Sequence, residues 1–198
     1  KRGELMQAAV PMGRGAMSAV MGLDADILRE ICGEAGGVCA PANINAPGQV
    51  VISGESESVE RAGTLARARG AAKVIPLKVS APFHCDLMRP VAEDLKAEFS
   101  KLKWSDPVTP IVANVDSSPL SSALSVQGAL YSQTYSPVLW SGGVKFMESA
   151  GVSLFLEFGP GSVLSGLIKR ICKGKKTVAV NKSADIGKAV DAIEEISS

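Results

Sequence analysis

The order of the apolar segments constrains the fold of this chain more than any other feature of its sequence. Between residues 15 and 79, hydrophobic periodicity and turn residues predict strand, helix, strand, strand, helix and strand, in that order. The predicted segments are 15–23, 24–36, 38–43, 49–53, 56–69 and 73–79. This is the element order of a split βαβ unit, so the sequence predicts a small ferredoxin-like subdomain over residues 15–79.

The remainder of the chain predicts a larger α/β unit made of residues 1–14 and 80–198. Helical and extended patterns alternate after residue 80, as expected for a mostly parallel sheet with flanking helices. Predicted helices cover 87–102, 125–135, 139–149, 162–172 and the segment from 184 onward, and predicted strands cover 110–115, 153–158 and 176–180. Residues 1–9 resemble the end of a helix, so we expect this unit to be incomplete at its N-terminal side.

Composition excludes several classes of function. Lys and Arg number 21 against 20 Asp and Glu, and the two signs are interspersed, so no nucleic-acid partner is expected. The four cysteines form no CxxC motif and there is one histidine, which argues against a metal site. No apolar run approaches the roughly 20 residues that span a bilayer, so no membrane partner is expected. Sparse cysteines predict a cytoplasmic protein, or an organellar one if a transit peptide has been removed.

His84 is the one histidine, and it lies between a predicted strand and a predicted helix. Open α/β sheets place their sites on such loops, but a loop histidine without a role explains this feature equally well. The neighbouring Cys85 is better interpreted as a small buried apolar residue than as a nucleophile.

A second candidate feature is the Gly-Pro-Gly-Ser run at residues 159–162, which follows one predicted strand and opens a helix. Its amides could bind an anion or an acyl oxygen, although a tight turn explains its glycines equally well. The chain has no GxSxG nucleophile elbow, P-loop or dinucleotide fingerprint. Residue chemistry alone therefore predicts a histidine-centred site with no identified partner.

Four motifs occur in a specific order: MGRGAM at 12–17, NINAPGQVVISG at 43–54, PFHCDLM at 82–88 and FGPG at 158–161. Together they resemble the malonyl-CoA:acyl carrier protein transacylase family, and the resemblance covers essentially the whole chain. It implies ping-pong transfer of a malonyl group from malonyl-CoA to the phosphopantetheine thiol of acyl carrier protein through an acyl-serine. Malonyl-CoA would be a substrate, no cofactor would be needed, and the protein is expected to be a monomer.

The resemblance also implies roles for individual residues. His84 would be the base in both half-reactions, with one ring nitrogen held by a backbone carbonyl near Gln133. Gln133 itself matches the glutamine near the active site. Arg2 matches the arginine whose planar fork binds the malonyl carboxylate. Phe83 matches the malonyl-selective form, in which a bulky ring excludes branched acyl groups.

Three asparagines complete the set of site residues implied by the resemblance. Asn43 and Asn45 are expected on a loop that lines the coenzyme A entrance, and Asn114 is expected to border the same cleft. We expect His84 in a cleft between the two predicted units. The serine elbow and the oxyanion loop of the family are expected in a segment that precedes Lys1, so these residues alone would be inactive.

Two other functions are compatible with the same sequence. One is a non-catalytic remnant that binds acyl carrier protein or coenzyme A, which a serine elbow upstream in the natural protein would argue against. The other is a related serine hydrolase, which would not need a carboxylate-binding Arg2. If the protein is a transacylase, fatty-acid synthesis is the first expectation and polyketide synthesis the second.

Overall fold

The structure is a computed structural model that describes residues 1–11 and 13–197. Met12, the first residue of the MGRGAM motif, lies outside the described residues. The helices are α1 (Arg2–Ala9), α2 (Ala25–Ala35), α3 (Ser56–Ala68), α4 (Arg89–Phe99), α5 (Ala123–Gln133), α6 (Trp140–Ser149), α7 (Val163–Ile171) and α8 (Ile186–Ser197). The strands are β1 (Gly15–Met21), β2 (Cys39–Ala46), β3 (Gln49–Glu55), β4 (Lys73–Pro76), β5 (Ile111–Val112), β6 (Pro119–Leu120), β7 (Leu154–Phe158) and β8 (Lys176–Val180).

The first large element is an antiparallel sheet with the strand order β2-β3-β1-β4. Helices α2 and α3 contact this sheet, and together they enclose a buried core that includes Val20, Leu28, Ile31, Ile52 and Val59. The element order β-α-β-β-α-β is the one that the sequence predicts for residues 15–79. The interpretation of this unit as a separate ferredoxin-like subdomain stays a prediction.

Local sequence explains the bounds of these elements. The buried residues of α2 recur at helical spacing, which gives the helix one apolar face. Gly36 and Gly37 follow with φ of 66° and 69°, a conformation that ends the helix and favours glycine. Asp24 occupies the predicted N-cap position, but its side chain makes no capping hydrogen bond. Its contribution to the helix is therefore limited to its backbone and its charge.

The opposite face of the sheet contacts the rest of the molecule. Met17, Ala42 and Val51 form a second buried cluster on the sheet, and Leu77 and Phe83 pack against it. Because Phe83 precedes His84, this cluster joins the sheet to the loop that carries the histidine.

The C-terminal part of the chain contains a parallel pair of strands, β7 and β8, with α7 and α8 beside it. The α/β class that the sequence predicts is confirmed. The predicted strand at 110–115 is wrong in length, because β5 ends at Val112 and pairs with β6 in a short antiparallel hairpin. Asp116 accepts a hydrogen bond from the Ser118 amide at 3.1 Å, and this turn reverses the chain.

Other bounds differ less from the sequence-based predictions. The predicted helix at 87–102 begins as a 3₁₀ turn, Asp86–Met88, and its α-helical part ends at Phe99. Lys169 and Arg170 lie in the last turn of α7, where positive charge is favourable.

None of the helices in the described part of the chain has both the length and the apolarity needed to cross a bilayer.

Gly54 tests the close approach of β2 and β3. It is buried in β3, and a Cβ atom at this position would lie 1.9 Å from the Val38 carbonyl oxygen. We expect Gly54→Ala to lower the free energy of unfolding by about 2 to 3 kcal/mol, because one backbone must move away from the other.

Gly33→Ala in α2 is the matched control, since a Cβ there meets no atom within 4 Å. The control should raise stability by about 0.5 to 1 kcal/mol. Urea unfolding measures both, and equal midpoints for Gly54→Ala and wild type would contradict the close approach.

Candidate active site

The loop that carries His84 is fixed by its neighbours. Ala81, Pro82 and Cys85 are buried, and the Cys85 thiol donates a hydrogen bond to the Pro82 carbonyl at 3.2 Å. His84 itself is half-buried and has a φ of 59°, in the left-handed region that non-glycine residues rarely adopt. The buried residues on either side of His84 therefore hold its backbone in this strained conformation.

The imidazole of His84 contacts a backbone carbonyl at the end of α5. Its Nδ1 lies 2.9 Å from the Gln133 oxygen. Because a carbonyl oxygen can only accept, this hydrogen bond requires the ring proton on Nδ1. In the neutral imidazole the lone pair is then on Nε2. The contact therefore selects the tautomer in which Nε2 can act as a base.

The environment of His84 favours this neutral form. Burial lowers its pKa most strongly, and the positive charge of Arg2 lowers it further. Backbone hydrogen bonds with Gln133 and Ser136 oppose the shift, but the pKa stays below its ordinary value of 6.5. The imidazole is therefore unprotonated and able to accept a proton at neutral pH.

The side chain of Gln133 supports the turn that follows α5. Its Nε2 donates to the carbonyls of Ser136 at 3.0 Å and Pro137 at 3.2 Å. Its Oε1 is buried and has no hydrogen-bond partner among the described residues. The amide group thus fixes the turn, and the backbone of the same residue contacts the histidine.

Val138 connects this turn to the antiparallel sheet. Its amide donates to the Ala42 carbonyl and its own carbonyl accepts from the Ile44 amide, both at 2.8 Å. Asn43 lies between these two partners and forms a parallel bridge with Val138. The backbone of β2 is therefore directly attached to the segment that contacts His84.

The predicted loop position of Asn43 and Asn45 is wrong, because both residues belong to β2. Register shifts between Pro41 and Asn43 and between Ile44 and Ala46 keep the irregular segment paired with β3. The turn is thereby reduced to the residues between β2 and β3. Both asparagines are half-buried.

Asn114 contacts the same segment through its backbone. Its carbonyl accepts a hydrogen bond from the Leu139 amide at 2.7 Å, and the residue is exposed in the turn after β5. The segment 133–139 therefore contacts His84, Asn43 and Asn114. These three residues are distant from one another in the sequence.

Arg2 is placed by the packing of α1. Met6, one turn further along this helix, is buried in a cluster with Ala81 and Met88, on either side of the His84 loop. Arg2 is exposed, and its charge acts on the pKa of His84. No ion pair of Arg2 is found within residues 1–11 and 13–197. Its guanidinium is therefore available to an anionic ligand near the imidazole.

Phe83 contacts two of the buried clusters. Its half-buried ring packs against the cluster around Met6 and also against the cluster of Met17, Ala42 and Val51. A Cβ atom on Gly15 would lie 2.4 Å from the Pro82 ring, so β1 and the loop are also in close contact. The loop that carries His84 thus lies between the four-stranded sheet and the helices α1 and α4.

The Gly-Pro-Gly-Ser run lies directly before α7. The carboxylate of Glu157 accepts hydrogen bonds from the Leu164 amide at 3.0 Å and the Ser165 amide at 2.7 Å. Hydrogen bonding by Ser165, first through its side chain, and by Leu164 lowers the pKa of Glu157, although burial opposes this shift. The N-terminus of α7 is already occupied by a carboxylate of the chain itself. These contacts involve the amides after the run, so the anion-binding interpretation of residues 159–162 stays a prediction, and the turn interpretation is consistent with Gly159 and Gly161, whose φ values are 139° and 94°.

Sequence reasoning did not identify Ser136, Pro137 and Val138, which link Gln133 to β2. The Ser-Pro pair directly after a predicted helix was the available signal, because a residue before proline favours extended backbone. No group of three or more His, Cys, Asp or Glu side chains that could hold a metal ion is found in the described part of the chain.

Comparison with known proteins identifies relatives of this chain, although no family model matches it. A malonyl CoA-acyl carrier protein transacylase of Salmonella typhimurium is 45% identical over 191 residues, which cover 96% of this chain and 62% of that protein. The Bacillus subtilis protein of the same name is 41% identical over 198 residues, with coverage of 98% and 62%.

Solved structures show the same similarity in three dimensions. An acyl carrier protein S-malonyltransferase from Vibrio cholerae has a TM-score of 0.92 and 44% identity, and the match covers 95% of this chain and 62% of that one. A malonyl-transacylase in complex with a type II PKS acyl carrier protein has a TM-score of 0.93 and 44% identity, with coverage of 96% and 62%. Over nearly all of its length, this chain is therefore similar in sequence and fold to malonyl-CoA:acyl carrier protein transacylases. It spans 62% of the length of these transacylases.

The lowered pKa of His84 predicts a pH dependence of stability. The unfolded chain binds the proton more readily than the folded chain, so the contribution of the neutral imidazole is complete above about pH 6.5 and is lost as pH falls toward the folded-state value. His84→Asn removes the titrating group, and asparagine tolerates the left-handed backbone. Urea unfolding of wild type and variant at about pH 7.5 and about pH 5.5 should show a smaller loss in the variant. An equal loss in the two proteins would contradict a buried neutral imidazole.

Proposed function

We propose that this chain supplies the catalytic base and the acyl-binding residues of a malonyl-CoA:acyl carrier protein transacylase. The observation that carries the proposal is the contact between His84 Nδ1 and the Gln133 carbonyl at 2.9 Å, in a chain 45% identical to a transacylase. The reaction would transfer malonyl from malonyl-CoA to the phosphopantetheine thiol of acyl carrier protein, without a cofactor. Fatty-acid synthesis is the pathway that we propose, in a cytoplasmic enzyme.

The first half-reaction needs a serine nucleophile, which we place outside these 198 residues because the chain contains no GxSxG elbow. His84 Nε2 accepts the serine proton as the serine oxygen attacks the malonyl thioester carbonyl. The tetrahedral intermediate collapses with cleavage of the carbon–sulfur bond. The imidazolium returns the proton to the departing coenzyme A sulfur, and malonyl-serine remains.

The second half-reaction uses the same nitrogen in the same order. His84 Nε2 accepts the proton of the phosphopantetheine thiol as its sulfur attacks the malonyl-serine carbonyl. The proton then passes to the departing serine oxygen. Because the Gln133 carbonyl keeps the other ring proton on Nδ1, Nε2 is available at the start of each step.

Arg2 and Phe83 are proposed to select the acyl group. Arg2 carries a positive charge near His84 without an intramolecular carboxylate partner among the described residues, which suits the free carboxylate of malonyl. The Phe83 ring limits the space beside the imidazole, which disfavours a branched acyl chain. Asn43, Asn45 and Asn114 are proposed to border the path of coenzyme A.

His84→Asn in the full-length natural protein that contains this chain should lower malonyl transfer about 100-fold or more. Asparagine keeps the backbone conformation but cannot accept the proton. Mass spectrometry of acyl carrier protein after incubation with malonyl-CoA measures the transfer, and calorimetric binding of malonyl-CoA should change little.

Cys85→Ser is the matched control, because serine can still donate to the Pro82 carbonyl and Cys85 has no role in the proposed chemistry. It should retain near-normal transfer. Loss of transfer in Cys85→Ser with retention in His84→Asn would overturn the proposal. Rapid release of free malonate, unaffected by acyl carrier protein, would indicate a hydrolase instead.

Arg2→Ala in the same full-length protein should lower kcat/KM for malonyl-CoA by about 10- to 100-fold, the value of a charge-assisted bidentate hydrogen bond. Transfer from acetyl-CoA should be maintained or raised, because an uncharged acyl group no longer leaves a guanidinium unpaired. Steady-state kinetics with the two donors gives the ratio directly.

Two control variants distinguish the carboxylate role from a structural one. Arg2→Lys keeps the charge but not the planar fork, so it should recover part of the malonyl preference. Arg29→Ala removes an arginine of α2 that pairs with Asp26, and it should leave the ratio of the two donors unchanged. An equal fall for both donors in Arg2→Ala would assign Arg2 to folding or coenzyme binding.

A further inference from the structure

Two cysteines outside the candidate active site have their sulfur atoms in contact. Cys32 is buried in the last turns of α2, and Cys39 is the half-buried first residue of β2. The two Sγ atoms lie 3.3 Å apart, with the Cys39 thiol as donor. Both are free thiols. The proposed transfer reaction does not use this pair, so any function of the sulfur–sulfur contact is a separate one.

The surroundings of the pair favour a thiolate. The hydrogen bond from Cys39 lowers the pKa of Cys32, although burial opposes this shift. The same hydrogen bond and burial raise the pKa of Cys39, which the positive charge of Arg61 offsets only in part, so Cys32 is the thiolate of the pair and Cys39 the thiol. Arg61 is fixed beside the pair, because its guanidinium donates to the Ala35 carbonyl at 2.7 Å and to the Ser58 hydroxyl at 3.0 Å. A thiolate in contact with a second thiol is the arrangement from which a disulfide forms.

The two sulfur atoms are close enough for a covalent bond to need only a small movement. A disulfide has a sulfur–sulfur distance of about 2.0 Å, so the two sulfurs must approach by little more than about 1 Å. The connecting segment is held in place, because the Ala35 carbonyl accepts from Arg61 at 2.7 Å and the Val38 amide donates to Glu55 at 3.1 Å. We therefore expect the approach to come from rotation of the two cysteine side chains. Cys39 is only half-buried, which gives a small oxidant access to the pair.

The other two cysteines lack these properties. Cys172 is buried, its thiol donates to Glu148 at 3.0 Å, and burial together with that carboxylate raises its pKa to about 11. Burial also raises the pKa of Cys85, whose thiol donates to a backbone carbonyl. Both are protonated at neutral pH, so they are internal controls for the reactivity of the pair.

We propose that Cys32 and Cys39 form a reversible disulfide when the protein meets a peroxide. The Cys32 thiolate attacks one peroxide oxygen, the oxygen–oxygen bond breaks, and Cys32 sulfenic acid and hydroxide form. Cys39 sulfur then attacks the Cys32 sulfur, the sulfur–oxygen bond breaks, and water leaves with the Cys39 proton. Two thiols lose two electrons to one peroxide, and a dithiol such as dithiothreitol reverses the oxidation. The disulfide would connect the end of α2 to the start of β2.

Peptide mapping of the full-length natural protein tests this inference. The protein is treated with hydrogen peroxide in its folded state, the peroxide is removed, and the protein is denatured in the presence of an alkylating agent and cleaved after glutamate. Cleavage after Glu34 separates Cys32 from Cys39, so peptides 31–34 and 35–55 stay joined only by a disulfide. We expect the joined pair after peroxide, two separate peptides after dithiothreitol, and alkylated Cys85 and Cys172 in both samples.

Single substitutions provide the controls. Cys39→Ser should abolish the joined peptides and leave a sulfenic acid on Cys32 that dimedone traps, whereas Cys85→Ser should leave the joined pair unchanged. The proposal is overturned if the wild type shows no joined peptides after peroxide. It is also overturned if Cys85 or Cys172 is oxidised as readily as the pair. Malonyl transfer is not measured here, so the result is independent of the proposed function.

Discussion

Two backbone hydrogen bonds join Val138 to β2, and the geometry of the candidate site depends on them. Each is 2.8 Å long, and they fix the segment after α5 against a strand that is itself paired along its length with β3. A shift of one residue would break both hydrogen bonds and leave their backbone donors and acceptors without these partners. The position of the Gln133 carbonyl, and with it the orientation of His84, follows from this pairing.

His84 has a strained backbone, and its surroundings disfavour the charged form of its imidazole. A non-glycine residue in the left-handed region costs roughly 1 to 2 kcal/mol, and the buried flanking residues Pro82 and Cys85 maintain it. Two backbone hydrogen bonds favour the protonated imidazole, but burial outweighs them and lowers the pKa. The result is a ring with a defined tautomer and no charge. A general base near neutral pH needs both properties, and one loop conformation provides them together.

The periodicity of the sequence predicts most of the secondary structure because apolar positions and glycines mark it directly. The order β-α-β-β-α-β and the end of α2 at Gly36 follow from such local signals. The prediction fails where pairing depends on distant residues. The Asn-Ala-Pro-Gly run at 45–48 has the composition of a turn, yet pairing with β3 extends β2 through Ala46 with two irregularities in register. The strand predicted at 110–115 is interrupted for the opposite reason, since the side chain of Asp116 reverses the chain.

In the candidate site, the side chain and the backbone of one residue, Gln133, have different contacts. The resemblance to transacylases implies both Gln133 and a backbone carbonyl near it, and the group that contacts His84 is the carbonyl of Gln133 itself. Residue chemistry alone could not identify it, because every residue has a carbonyl. What the sequence specifies is the amide side chain, whose hydrogen bonds to Ser136 and Pro137 shape the turn that exposes that carbonyl. The last carbonyls of a helix have no partner within it, so the end of α5 offers an acceptor wherever the turn leaves it open. Gln133 therefore supports the turn through its side chain and contacts His84, the proposed base, through its backbone.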